Sequence, residues 1–437
     1  MNCRRGGVSL WVLVLLGVVL AVLVVMADLG LIWNAQGELR TAADAAALAA
    51  AHAWAEKLAA SAPPGLSPEA RQEVYQEAAR YVAEHAGSVP LCLLPNPDND
   101  VLGDVVFGFY HRSSGFTPAR QQELASPWLN AVRVTVCRDG RHGNAAGLVF
   151  GPLFGWSAAE VHVSAVAVLE RHILGFQCTD GQAIPVVPIA ILSDPSGQAP
   201  DCWEAQVAQA DFPGGLDQDT ATPATVRIRL PLSPSTASLA AVGLGAEVPG
   251  PSPSAVTGNA CVVQIGTQNW SEAVRQMATG IWPQDLAGDD FAGRLVIDPA
   301  AGFRPVLAWT SAPGLNEREL ADLWAALSGL QQRGEVRIWP LYAGLLPKAE
   351  AQADDDRPIA AVNGFVAARI LRLELRSGGA QSNQGTYLEL TLQPQLLVTR
   401  TAIPAAHLPT RNLPDDRIEN PYLTQPNRYV VRIQLAQ

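Results

Sequence analysis

Six cysteines and seven histidines, spread along 437 residues, are the side chains of this sequence most able to carry chemistry. Cysteine thiols form disulfides in an oxidising compartment, or bind zinc together with histidine. A zinc site needs clustered ligands, yet the sequence contains no C-x-x-C and no H-x-x-x-H pair. His162 and His172 lie in or near apolar runs, which favours hydrogen-bonded structural histidines. We therefore predict neither a metal site nor a cofactor.

Common catalytic signatures are also missing from the sequence. It contains no G-x-S-x-G, no H-E-x-x-H, and no S-x-x-K accompanied by S-D-N or K-T-G. The fragment DNDVLGD begins like a calcium loop, but Phe109 stands where the bidentate glutamate should be. The sequence therefore predicts a protein that is not an enzyme.

A long apolar stretch near the N-terminus, Val8 to Ala27, is the strongest feature of the chain. It contains Trp11 and Gly17 and carries no charge over its whole length. A helix rises 1.5 Å per residue, so a stretch of this length crosses a hydrocarbon core of about 30 Å. We predict a transmembrane helix here.

The charges on either side of this stretch predict its orientation. Arg4 and Arg5 precede it, and Asp28 follows. By the positive-inside rule the N-terminus is cytoplasmic and the body extracytoplasmic, in a single-pass protein of the cell (inner) membrane. The alternative is a cleaved signal peptide, since Val25 and Ala27 are small enough for a cleavage site.

This topology sets the expected state of the thiols. Cys3 would face the cytoplasm, and the other five cysteines would face a compartment in which disulfides persist. We expect at least one bond among them, with Cys92–Cys137 and Cys178–Cys202 as the favoured pairs. Connectivity cannot be fixed from sequence alone.

An alanine-rich tract, Thr41 to Ala51, follows the span. No proline occurs between Asp28 and Ala60, so the span and the tract are predicted to form one helix about 80 Å long. Four alanines at helical spacing form a flat stripe: Ala43, Ala46, Ala47 and Ala50. Such a stripe either admits a helix of another protein or covers the protein's own domain.

Residues on both sides of the span follow a known pattern. Arg5 and Gly6 precede it, Asp28 and Gly30 form Asp-x-Gly after it, and AADAAALA, which includes Asp44, comes next. This segment resembles the N-terminus of TadG-like Flp (tight-adherence) pilus-assembly proteins. A later stretch, from Asn130 to Glu170, resembles the strand, "lfG" turn and strand of that family. Leu31 and Trp33 depart from the pattern, because the family often has Arg and Tyr there.

The resemblance implies a single-pass, non-catalytic component of the tight-adherence pilus system, exposed to the periplasm of a bacterial cell envelope and acting in assembly or anchoring. Its partners would be pilus-assembly or envelope proteins, bound through the Ala-rich helix, and membrane lipid. The net charge of −11 argues against a nucleic-acid partner. A membrane-anchored binding or adhesion module is the alternative, and an anchored envelope hydrolase ranks third.

The predicted fold class is α+β, in three parts: 1–60 as anchor and Ala-rich helix, 61–176 as a pilin-like helix-plus-antiparallel-sheet unit, and 177–437 as a β-rich domain. Ser67 and Pro68 predict the start of a helix and Gly87 its end. Strands are predicted from Asp104, Ala131 and Val161. The β-rich part is predicted to contain strands in ATVRIRLPL, ACVVQIG, RLVID, EVRIWPLYAG, PIAAVNGFVAARILRLELR, TYLELTLQPQLLVTRTAI and RYVVRIQLAQ, with helices over Trp270–Thr279 and Glu317–Gln332.

Overall fold

The computed structural model divides the chain into two compact units. Unit 1 comprises Met1–Leu169 and Ile433–Gln437, and unit 2 comprises Glu170–Arg432. The structure describes residues 6–60, 66–87, 89–111, 114–126, 128–179, 181–194, 199–211, 225–232, 258–266, 269–288, 291, 293–297, 304–309, 317–346, 359–376, 386–404 and 426–436. The fold class is α+β, as the sequence predicts.

Unit 1 combines long helices with an antiparallel sheet. Its described elements are α1 (Gly6–Ala60), α2 (Pro68–Glu84), β1 (Val105–His111), β2 (Gly115–Pro118), β3 (Ala131–Arg138), β4 (Ala146–Gly147), β5 (Ala158–Ala159) and β6 (Val161–Glu170). The main sheet has the order β2-β1-β3-β6, with Ile433–Leu435 beside β6. β4 and β5 form a separate small hairpin.

α1 is one unbroken helix of 55 residues, which confirms that the span and the Ala-rich tract are continuous. Its composition explains this continuity, because alanine and leucine favour helix and no proline interrupts it. The first part of the helix is exposed, whereas one face of the second part is buried in unit 1. Trp54 lies on that buried face and packs edge-to-face against Phe107 of β1, with ring centroids 5.6 Å apart.

α2 begins where the sequence predicts. Ser67 accepts a hydrogen bond from the Ala70 N–H at 3.1 Å, and Pro68 occupies the first turn. The helix ends at Glu84, three residues before the predicted stop at Gly87, and the N–H groups of the next two residues still bond back to its last turn. Its buried residues, Val74, Ala78 and Val82, recur every four positions and face α1.

Unit 2 is rich in strands. Its described elements are β7 (Ile173–Gln177), β8 (Ile189–Leu192), α3 (Trp203–Asp211), β9 (Val226–Pro231), β10 (Ala260–Val263), α4 (Trp270–Thr279), β11 (Arg294–Val296), β12 (Arg304–Trp309), α5 (Glu317–Arg333), β13 (Val336–Leu346), β14 (Ile359–Arg376), β15 (Tyr387–Pro394), β16 (Leu397–Val398), β17 (Ala402–Pro404) and β18 (Val430–Leu435), whose end belongs to unit 1.

The main sheet of unit 2 has the order β12-β10-β8-β13-β14-β15-β9. β12 also pairs with β14, so the strand pairings from β12 to β14 close into a ring. A smaller sheet has the order β11-β7-β17. Each predicted strand run of the C-terminal part contains a strand, and α4 and α5 occupy the predicted helical segments. β7, β8, β12 and α3 were not predicted.

Candidate membrane-anchor site

The first part of α1 is long and apolar enough, by length and composition, to cross a membrane. The side chains from Trp11 to Met26 are exposed or nearly so, and the space beside Gly17 is open. Trp11 is 74% exposed and Trp33 is 68% exposed. The two indoles lie about 33 Å apart along the helix axis, close to the thickness of a hydrocarbon core. Tryptophan is enriched at both membrane–water interfaces, so this spacing fits a membrane anchor.

Asp28 connects the end of the apolar stretch to a distant part of unit 1. Its carboxylate accepts hydrogen bonds from the backbone N–H groups of Val149, at 2.9 Å, and Phe150, at 3.2 Å. Hydrogen bonds to a charged acceptor are stronger than neutral ones. The contact joins residues more than 120 positions apart and holds the β4–β5 hairpin against α1.

The segment held by Asp28 is the apolar hairpin, defined as residues 146–159. Its turn is fixed by two glycines. Gly155 has φ +87°, a left-handed conformation that disfavours other residues, and a Cβ on Gly151 would lie 2.3 Å from the Trp156 carbonyl oxygen. The Trp156 N–H donates to the Gly151 oxygen at 3.0 Å, and the Leu148 N–H donates to the Ser157 oxygen at 3.1 Å.

The tip of the apolar hairpin exposes large apolar side chains. Leu153 is 76% exposed, Trp156 70%, Val149 65% and Phe154 59%. No residue between 146 and 159 carries a charge. Exposed apolar groups that lie next to one another mark surfaces that contact another apolar phase or a partner.

The alanine stripe lies inside unit 1. Ala43, Ala46, Ala47 and Ala50 are each 0% exposed, because α2 and β3 pack on this side of α1. The structure therefore shows the second alternative drawn from the sequence: the stripe covers the protein's own domain. These four positions offer no surface to another protein in this structure, and partner binding through the Ala-rich helix stays a prediction.

Near the stripe, an ion pair joins α1 to β3. The Arg138 guanidinium donates to the Glu38 carboxylate at 2.9 Å, and the Arg138 side chain is only 8% exposed. Gly87 leaves room for this carboxylate, because a Cβ there would lie 3.3 Å from it. Such a pair fixes the rotation of α1 on the sheet.

A buried histidine links two carboxylates in unit 1. His142 Nδ1 lies 2.7 Å from Asp139 Oδ1, and its Nε2 lies 2.9 Å from Asp104 Oδ2. Burial by itself lowers the pKa of His142, but its hydrogen bonds to the two carboxylates outweigh burial and raise that pKa. Burial likewise opposes the ionisation of Asp139, and the hydrogen bonds from His142 outweigh it and lower the Asp139 pKa. The imidazole of His142 thus lies between two carboxylates, an arrangement that favours its protonated form.

Cys137 lies beside this network. Its Sγ is 3.1 Å from Nδ1 of His162, which is its neighbour across β3 and β6. Cys137, Asp139 and His162 offer ligand atoms within 4.8 Å of one another, as do Asp104, Cys137 and His142. Among the residues that the structure describes, these are the groups that could hold a metal. Hydrogen bonds among the same groups account for the arrangement without an ion. The sequence missed this cluster because Asp104 and His162 lie far along the chain from Cys137, Asp139 and His142.

The five described cysteines are free thiols, so the structure contains neither predicted disulfide. Each thiol has a different environment: Cys92 is exposed, whereas Cys137 is buried next to His162. The Cys178 thiol points to the Ile281 oxygen at 3.5 Å, and Cys202 accepts from the Ala205 N–H at 3.4 Å. The sulfur atoms of Cys137, Cys178 and Cys202 thus each contact a different partner.

A polar cavity of about 400 Å³ opens on unit 2. Its wall includes Asp201, Gln206, Arg227 and Asn259. The Gln206 amide donates to the Arg227 oxygen at 3.0 Å, and the Asn259 amide donates to the Asp201 oxygen at 2.7 Å. The described lining of the cavity is thus a hydrogen-bonded surface that offers amide, carboxylate and guanidinium groups.

The remaining predicted site residues lie along α1. Gly6 and Val8 are in its first turn, and Ala27 is exposed at the end of the span. Gly30 faces open space, and Asp44 is half-buried beside the stripe. Arg5, together with Cys3 and Arg4, lies outside the described residues.

Comparison with known proteins bears on the N-terminal segment. Neither the curated proteins nor the solved structures give a match to the chain. Residues 6–53 match the model of the Tad family, described as putative Flp pilus-assembly TadE/G-like. This match confirms the resemblance seen in the sequence around the span. The matched segment forms most of α1 and is therefore similar to the TadE/G-like Flp pilus-assembly domain.

Proposed function

We propose that this protein is a single-pass, non-catalytic component of a Flp pilus-assembly system. It acts as an anchoring or assembly subunit in the inner membrane, with its N-terminus in the cytoplasm and its body outside. The proposal rests on one observation, that two features occur within the same segment of α1. The TadE/G-like segment, residues 6–53, contains both the exposed apolar span and the helix buried in unit 1.

Because α1 is continuous, the proposed anchor would join unit 1 to the membrane rigidly. A flexible linker would let the body move freely above the membrane. Here the helix leaves the span without a break, and Leu39 and Trp54 are buried in unit 1. The Glu38–Arg138 ion pair and the Asp28 contact with the apolar hairpin add to this packing. Unit 1 is therefore held at a fixed height on its own anchor.

Partners would be other pilus-assembly or envelope proteins. With the stripe buried, they would bind other surfaces, and α1 offers exposed positions such as Gln36 and Arg40. A photo-cross-linking amino acid at Gln36 or Arg40, in cells that make the pilus, should capture pilus-assembly subunits. The same group at the buried Ala43 is the matched control and should react only within the chain. Capture of no envelope protein from any exposed position would contradict the proposal.

The topology is tested separately. Protease added outside spheroplasts should degrade the body, while the membrane retains the span. A body that survives in intact spheroplasts, or one released as a soluble protein that begins near Asp28, would contradict the anchored arrangement.

The polar cavity of unit 2 favours one alternative, a membrane-anchored binding or adhesion module. Arg227 is exposed and could contact an anionic or hydroxyl-rich ligand. Under this alternative, the full chain should bind members of a panel of immobilised glycans, and Arg227→Ala should weaken that binding. Arg318→Ala, at an exposed position of α5, is the matched control.

A further inference from the structure

The apolar hairpin lies beside the end of the span, and the position of Asp28 along α1 indicates the depth of the hairpin relative to the membrane. Asp28 follows Trp11 by about 26 Å along the helix axis, slightly less than a hydrocarbon core. The residues after it, from Leu29 to Trp33, are again uncharged and mostly apolar, and Leu29, Leu31 and Trp33 are exposed. A helix that spans a membrane thus places Asp28 at the far edge of the hydrocarbon, below the level of Trp33.

A carboxylate at that depth is costly unless other groups satisfy it. The N–H groups of Val149 and Phe150 do so, at 2.9 and 3.2 Å. Because hydrogen bonds are short, the backbone of the apolar hairpin at Val149 and Phe150 lies at the same depth as Asp28. The hairpin is therefore at the membrane surface wherever α1 spans the membrane.

The tip has the properties that an interfacial segment needs. Leu153 and Phe154 supply apolar surface, and Trp156 combines an apolar ring with an indole N–H suited to the headgroup region. Backbone groups that enter an apolar phase must be hydrogen-bonded internally. In the tip, Leu153 N–H donates to the Phe150 oxygen and Trp156 N–H donates to the Gly151 oxygen, each at 3.0 Å.

We propose that the apolar hairpin inserts Leu153, Phe154 and Trp156 into the boundary between headgroups and acyl chains of the membrane that α1 crosses. The inference rests on the proposed membrane anchor and adds a second contact with the same bilayer. One helix alone can rotate about its axis and tilt. A second contact, joined to the helix through Asp28, fixes both the rotation and the tilt of unit 1 on the membrane.

The test places a fluorescent label at one position at a time in the full chain, reconstituted in phosphatidylcholine vesicles. Cys3 and Cys92 are replaced by serine, and the label is attached through Leu153→Cys. Phosphatidylcholine with brominated acyl chains then quenches any label that contacts lipid. Leu20→Cys, within the span, is the positive control, and Leu102→Cys is the matched control, because Leu102 is 83% exposed in another turn of unit 1.

We expect strong quenching at Leu20, quenching of comparable size at Leu153, and little at Leu102. Quenching at Leu153 should persist in high salt, because an apolar contact is not screened. Asp28→Ala should reduce quenching at Leu153 and leave it unchanged at Leu20, since the variant removes only the acceptor that holds the hairpin.

The possible failures are distinguishable. If the label at Leu20 is quenched but the label at Leu153 is quenched as weakly as the one at Leu102, the hairpin does not insert into the membrane. The proposed anchor would then stand, and the tip would contact a protein partner instead of lipid. Quenching at Leu153 without quenching at Leu20 would overturn the proposed span while supporting a peripheral contact. Quenching at neither position would overturn both.

Discussion

At the scale of single residues, His142 makes the stability of unit 1 depend on pH. The pKa of His142 is raised in the folded protein. Its contribution to the free energy of unfolding is therefore complete below the ordinary histidine pKa of about 6.5, and it is lost as pH rises through the pKa of the folded protein. The Asp139 pKa is lowered, so its contribution is present above the ordinary aspartate value of about 3.9 and is lost as pH falls through the folded value. Unit 1 should be most stable between these limits.

Replacing His142 by glutamine should therefore lower the melting temperature of unit 1 most at mildly acidic pH and flatten its decline toward alkaline pH. Thermal unfolding of the full chain in detergent, recorded from pH 5 to 9 in steps of about one unit, measures this. His52→Gln is the control, because the His52 side chain is 53% exposed. An alkaline decline that is equally steep in wild type and His142→Gln would show that another group causes it.

The thiols should differ sharply in reactivity. Burial, together with the nearby carboxylates of Asp104 and Asp139, raises the pKa of Cys137 to about 12, and burial raises that of Cys261 to about 12. A thiol with such a pKa is thiolate to a fraction on the order of one in ten thousand at pH 8, and only the thiolate reacts. Cys92 is exposed, so an alkylating reagent can reach its sulfur atom.

Brief alkylation of the folded protein at pH 8, followed by peptide mapping, should modify Cys92 and spare Cys137 and Cys261. Urea should expose all of them. If Cys92 instead resists alkylation until a reductant is added, it forms a disulfide in the isolated protein, and the pairing expected from the sequence regains support.

At the scale of elements, the alanine stripe is expected to act through packing. Ala43, Ala47 and Ala50 are completely buried, so leucine at these positions adds volume where none is free. Overpacking costs about 1–3 kcal/mol at each site, whereas helix propensity hardly changes. The triple leucine variant should accumulate poorly and melt at a lower temperature than wild type.

Leucine at Ala45 and Ala53, two half-buried positions of the same helix, is the matched control and should be tolerated. A triple variant that stays stable but loses a partner in cross-linking would mean that the stripe binds another protein. That result would contradict the packing seen in unit 1.

Elements with a strong local pattern were predictable from the sequence. α1 lacks proline over its whole length, α2 carries a capping serine, and β3 and β6 alternate, so each was predicted close to its observed bounds. β8 was not, because Pro185 and Pro188 precede it and its residues are apolar throughout, as expected of a strand in the middle of a sheet. The contact of Asp28 with Val149 could not be predicted either, since a local pattern holds no information about pairing across that distance.

At the scale of the whole molecule, the predicted boundary after residue 60 falls inside the packing of unit 1. The second part of α1 supplies core residues from Ala35 to Leu58, including Leu39 and Trp54. The span and the domain therefore share one helix, and we predict that unit 1 does not stay folded when the chain is cut at the end of that helix. The separable point is near Asp28, where exposure of the whole helix gives way to burial of one face.

This leads to a prediction for two truncated chains. Residues 28–437 should give a folded soluble protein, because they keep the buried face of α1 and the Asp28 contact with the apolar hairpin. Residues 61–437 should lose unit 1, because α2 and β3 would expose the surfaces that α1 covers. Removing the side chain of a buried tryptophan such as Trp54 costs about 3–5 kcal/mol, and domains are stable by about 5–15 kcal/mol. The loss of the whole helix exceeds that margin.

Thermal unfolding and proteolysis of the two fragments measure the difference. The longer fragment should resist protease throughout unit 1, while the shorter one should be cleaved in residues 66–169 and keep a protected core from unit 2, whose own hydrophobic cluster contains no residue of α1. If residues 61–437 instead form a stable unit 1, the alanine-rich face contributes little to its core. The helix would then serve mainly to connect the body to the membrane, and its buried alanines would be free to leave unit 1 for a partner.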